Sequence, residues 1–150
     1  MNTNVFNVAE QSHVIALKPV DVGGGAKSLY WDMTNWKHAS IIVTSGAAAN
    51  QATLKVYKSA TLSGGTAIDF ASYNAGATDV LGARVVSTAA AGFLQTAAAC
   101  ITVFEVDALD PSYIYMGVAT DAAAANIISI VVVLSGGRYP GVSSPTVSPT

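Results

Sequence analysis

The sequence predicts an all-β chain: a single antiparallel β-sandwich or jelly-roll-like domain with extended termini. Three observations carry this. Short apolar runs recur with a spacing near two, turn residues separate them, and the alanine runs are too short to nucleate helices. Residues 54–58 (LKVYK) mix apolar and polar positions at the strand period, and residues 101–106 (ITVFEV) are rich in β-branched and aromatic side chains. Residues 127–134 (IISIVVVL) are almost continuous Val and Ile, which predicts a strand buried on both faces. Weaker strand patterns lie at 14–20, 28–32, 40–44, 68–73, 83–87 and 113–120. Glycines at 23–25, 64–65 and 136–137, the Asn74-Ala75-Gly76 triplet and Asp110-Pro111-Ser112 supply the intervening turns. Eight or nine short strands at this spacing make a sandwich. Ile42, Leu54, Val56, Phe104, Val106, Ile128, Ile130 and Val132 are its expected core.

The chain divides into an N-terminal arm (1–10), the sandwich domain (11–138) and a Pro/Ser/Thr-rich tail (139–150). Pro140, Pro145 and Pro149 bar a regular helix from the tail. Its few apolar side chains cannot offset an ordering cost of about 1–2 kcal/mol per residue. The tail is therefore expected to be extended, either docked on a neighbouring subunit or projecting.

Composition narrows the function. A chain of 150 residues suits one domain, and one that buries roughly 70% of its unfolded surface needs no metal or disulfide. Only 11% of residues are charged, against about 25% in an average globular domain. That deficit favours association, so much of the outer surface is expected to be interface. The seven Lys and Arg residues are dispersed, which argues against a nucleic-acid footprint. No polybasic or amphipathic stretch points to a membrane surface, and the longest apolar run falls far short of the roughly 20 residues that span a bilayer. Residues 1–10 lack the basic start and apolar run of a signal peptide, which predicts synthesis in the cytoplasm.

Motifs for nucleotide, metal-protease or serine-hydrolase chemistry do not occur, so no enzyme and no cofactor is expected. The one cysteine, Cys100, reads as a small buried hydrophobe. His13 and His38 have no second ligand at metal spacing and read as surface or hydrogen-bonded residues. Glu105 and Asp107 fall on one face of one strand near Asp110. Paired carboxylates of this kind serve glycoside hydrolysis or calcium binding, but the simpler reading is a solvated strand end. Tyr30, Trp31 and Trp36 form the densest aromatic patch. Trp31 reads as core, while Trp36 fits either core or an exposed anchor for protein or sugar. The alanine runs fit either close subunit contact or neutral loop filler. The candidate interface set is Trp36, Ala47, Ala48, Ala49, Ala122, Ala123, Ala124, Arg138, Tyr139 and Pro140.

The order of features resembles that of small virion proteins of tailed bacteriophages. SLYWDMTNWKHASIIVTSGAA is followed by ATLKVYKSATLSGGTAIDFASY, and later ITVFEVDALDPSYIYMGVATD by IISIVVVLSGGRYP. The corresponding family features are an aromatic before a strand ending in Gly (Trp36 with 41–46), a Thr-to-Phe block (53–70), an acidic strand end (103–110) and a terminal Arg-Tyr element (134–140). Together they cover residues 28–140. SGGRYP replaces the acidic residue or proline that the pattern places before Arg, and the middle is richer in alanine. The resemblance implies a capsid decoration, or cement, protein with a sandwich or jelly-roll fold, often a homotrimer. Its partner would be the major capsid protein and its location the virion surface. A tail or neck subunit and a carbohydrate-binding adhesion module are the alternatives.

Overall fold

The computed structural model describes residues 13–46, 51–75, 80–95, 99–108, 112–121, 126–137 and 146–150. Twelve strands occur among them: β1 (His13–Asp21), β2 (Ser28–Asp32), β3 (His38–Ser45), β4 (Thr53–Ser59), β5 (Thr66–Ile68), β6 (Phe70–Asn74), β7 (Val85–Ser87), β8 (Phe93–Leu94), β9 (Cys100–Asp107), β10 (Tyr115–Thr120), β11 (Ile127–Ser135) and β12 (Val147–Pro149). They form two antiparallel sheets, β1-β11-β3-β9-β6-β7 and β12-β2-β10-β4-β5, with β8 paired to β4. The two sheets pack together as a β-sandwich, and no helix occurs among the described residues.

The period-two alternation decides what lies between the sheets. On the first sheet the inward residues are Ile128, Ile130, Val132 and Leu134 of β11, Ala39, Ile41 and Val43 of β3, and Phe104 and Val106 of β9. The second sheet contributes Leu29 and Trp31 of β2, Leu54 and Val56 of β4, and Met116 and Val118 of β10. Phe104 is the hub: its ring meets Phe70 edge-on at 4.7 Å and Phe93 at 5.4 Å between centroids. On the outer side of the second sheet the Tyr30 ring lies across Gly117, where an added Cβ would sit 2.3 Å from the ring, so this strand crossing requires glycine.

Four expectations are corrected. First, β11 is buried on one face only: Ser129, Val131 and Val133 are half-buried and Ile127 is exposed. Second, Ile42 lies outside the core. Its neighbours Ile41 and Val43 point inward instead, because Ile41 pairs with Phe104 and Val132 across the ladder. A run of Ile-Ile-Val has no alternation of its own to read. Third, the strand expected at 68–73 breaks at Asp69, where the chain passes from the second sheet (β5) to the first (β6); the Asp69 carboxylate accepts the Ala89 N–H at 2.6 Å across this corner. Fourth, the end of the tail joins this chain's own sandwich: β12 is an edge strand on β2. Pro149 faces Leu29 in a pair that exchanges no backbone bonds, so its missing N–H is not needed there. The expected N-terminal arm lies outside the described residues.

Core packing can be checked by substitution. Phe104→Ala should cost about 3–5 kcal/mol. Ile41→Ala should cost about 2–5 kcal/mol, while Ile42→Ala costs less than about 1 kcal/mol. Urea unfolding of the three variants measures this, and an inverted Ile41/Ile42 order would overturn the register.

Candidate functional site

The outward residues of the first sheet, β1-β11-β3-β9-β6-β7, form an unusual surface. Pairing sets them in rows across the strands. One row runs Val14, Val133, Ser40, Glu105, Ala71, Val86, and the next runs Ala16, Val131, Ile42, Val103, Tyr73. A third brings together Ser129, Thr44 and Ile101. A solvated sheet normally places polar residues at such positions. Here they are mainly aliphatic, and Val14 (57%), Ile101 (49%) and Val86 (52%) are well exposed. Charge on this face stays at the margins, with Lys18 beside a bulge in β1 and Glu105 and Asp107 at the end of β9.

The polar corner has a defined geometry. Alternation turns His38 and Ser40 of β3 outward beside Asp107 and Glu105 of β9, and the register pairs His38 with Asp107 and Ser40 with Glu105. His38 Nδ1 lies 2.8 Å from Asp107 Oδ1, and Nε2 lies 2.6 Å from Glu105 Oε2. The Ser40 hydroxyl donates to the same Glu105 oxygen at 2.7 Å. With a carboxylate at each ring nitrogen, the imidazole is held in its doubly protonated form. Burial pulls the His38 pKa down, but the hydrogen bonds and charges of Asp107 and Glu105 outweigh it and leave it above 6.5. Ser, His and Asp occur together here, yet the arrangement does not activate the serine. Ser40 Oγ is 3.4 Å from Nε2, its hydrogen goes to Glu105, and the ring has no free lone pair to take it. The cluster is an electrostatic clasp between β3 and β9. Glu105 is thus engaged rather than freely solvated, which revises the reading of this strand end. Among the described residues no group of three or more His, Cys, Asp or Glu is placed to hold a metal ion.

The nominated interface residues fare differently. Trp36 is 5% exposed, with its ring edge-on to His13 at 5.2 Å, so it is a core residue and not a surface anchor. Tyr30 and Trp31 are also buried, and the aromatic patch offers no stacking platform. Ala47, Ala48, Ala49, Ala122, Ala123, Ala124, Arg138, Tyr139 and Pro140 lie outside the described residues. The residues flanking both alanine segments meet at one end of the sandwich: Gly46 N–H donates to Ile127 O at 3.0 Å, and Thr53 N–H to Asp121 Oδ1 at 2.7 Å. Gly136, which leads to Arg138, lies at the opposite end beside Lys37. Cys100 is buried, with its sulfur 3.2 Å from Ser45 Oγ. The residues that sequence reasoning missed are the outer aliphatic set. Their signal was present in β11, where Val131 and Val133 occupy positions that a solvated strand gives to polar residues.

Comparison of the chain with protein-family models, with curated proteins and with solved structures gave no match.

The clasp has a pH signature. Because the folded pKa of His38 is raised, its stabilisation is fully present below about pH 6.5 and is lost as pH rises through the folded value. Urea midpoints from about pH 5 to about pH 9 should therefore fall on the alkaline side in the parent chain, and His38→Gln should remove that component. An identical pH profile in both proteins would refute the clasp.

Proposed function

We propose that this protein is a non-enzymatic virion component, a decoration or cement protein that binds the outer surface of a tailed-bacteriophage capsid and bridges major capsid protein subunits. The observation that supports this reading is the aliphatic outer face of the β1-β11-β3-β9-β6-β7 sheet, in a chain with only 11% charged residues. The order of sequence features shared with small phage virion proteins points the same way.

The extent of the face bears on its partner. Strand spacing of about 4.8 Å and a rise of about 3.4 Å per residue give it an area of about 500 Å². A free protein pair of standard size buries about 800 Å² per partner. A face this small suits a partner presented as a repeated array, where each copy bridges two subunits and avidity compensates for modest single contacts. A capsid lattice is such an array. Its local three-fold positions favour a homotrimer, because a closed ring leaves no copy of an interface unsatisfied. Burial of Trp31 and Trp36 counts against the sugar-binding alternative.

Ile42→Lys and Val131→Glu place charges at the centre of the face, where both side chains are only half-buried in the free protein. Each variant should fold normally but bind shells about tenfold or more weakly, because the charge is left unpaired on docking. Undiminished binding would remove this face from the interface. Electron microscopy of intact particles should show hundreds of copies over the shell; about a dozen copies at the neck or tail would replace the decoration reading with the other virion role.

A further inference from the structure

We propose that β12 is an exchangeable arm, and that the edge of β2 accepts the last strand of a second copy of this chain. This rests on the second sheet and is independent of what the aliphatic face binds.

The attachment of β12 is almost entirely backbone. Ser28 and Thr150 exchange both of their N–H···O bonds, at 3.1 and 2.9 Å, and Asp32 N–H donates to Thr146 O at 3.0 Å. The Ser28 and Thr150 hydroxyls lie 2.6 Å apart. Side chains add little: Thr146, Val147, Pro149 and Thr150 are exposed and only Ser148 is half-buried. Beneath the arm, β2 is also held from its other side. Five residues pair with β10, and Leu29 and Trp31 are buried in the core. Releasing β12 therefore exposes chiefly main-chain groups, whose hydrogen bonds water replaces at small net cost.

The eight residues between Gly137 and Thr146 could span at most roughly 26–29 Å, more than the about 10 Å between packed sheets. Contacts made between copies are the same as those made within one copy. The balance is then set by local concentration alone, and crowding copies together shifts it toward exchange.

The backbone-bonded pair of Ser28 and Thr150 provides the test, since Cα atoms about 5.5 Å apart in such a pair lie within disulfide range. Ser28→Cys and Thr150→Cys are made separately in the full chain and mixed at high protein concentration under mild oxidation. The native thiol, Cys100, is buried and serves as the common background. Covalent dimers that contain one of each variant, with a yield that falls about tenfold on tenfold dilution, are expected. The double variant in one chain at low concentration should close internally as a monomer. No mixed dimer despite internal closure would overturn exchange. Failure of the double variant to close would overturn the docking of β12 itself, and dimers of each single variant with itself at equal yield would show random collision and overturn it as well.

Discussion

The in-register ladder β11-β3-β9 is the constraint on which the rest of the structure depends. Its inward rungs are Leu134-Ala39-Val106, Val132-Ile41-Phe104 and Ile130-Val43-Thr102. A slip of one residue would exchange the inner and outer faces of a strand. In an ordinary half-solvated sheet hydrophobicity alone forbids this. Here the outer set, with Val133, Val131, Ile42 and Val103, is nearly as apolar as the inner one, so hydrophobicity discriminates weakly. Two things remain to fix the register. Phe104 packs against the rings of Phe70 and Phe93 in this register. The polar groups His38, Ser40, Glu105 and Asp107, and the Thr44–Ser129 hydroxyl pair at 2.8 Å, find their partners in the observed alignment. Turned inward, they would bring charge into the core without partners. The clasp at the rim of the face thus specifies the face.

An exposed aliphatic sheet is a hazard unless its edges are closed. Both edges of the β1-β11-β3-β9-β6-β7 sheet are poor templates. β1 is interrupted by a bulge between Leu17 and Val20 that carries Lys18 and Pro19. β7 is three residues long. Strand-by-strand growth is therefore discouraged while face-on contact stays open. On the proposed reading, that combination directs the contacts of this sheet to its face and away from its edges.

How much of this could be read from the residues differs by element. β4, β9 and β11 were legible because their own alternation or β-branched content marks them. The inward member of Ile41 and Ile42 was not, since it depends on partners about 60 to 90 positions away in the chain and on no local period. The same distance hides the clasp: strand alternation puts Glu105 and Asp107 on one face, but nothing near them in sequence names His38 as the partner. Asp69 looked like an interior strand residue and is a corner. The two-residue β8 and the proline-bearing β12 fall below what periodicity can register. Trp36 was ambiguous between core and exposed anchor, and its burial beside His13 is decided by the tertiary packing.

The placement of the two proposed contacts matters as much as either one. The aliphatic face belongs to the β1-β11-β3-β9-β6-β7 sheet, and β12 lies at the edge of the other sheet. The core separates them, so occupation of one does not block the other. On the proposed reading, a copy held face-on by a lattice still presents the β2 edge and its arm to adjacent copies. Binding to the array raises the local concentration of copies, and that same rise favours strand exchange over internal docking. Each exchanged strand in turn makes dissociation of one copy depend on release of its neighbour. Two individually weak contacts on opposite sides of one sandwich therefore reinforce each other through concentration, with no conformational signal passing through the core.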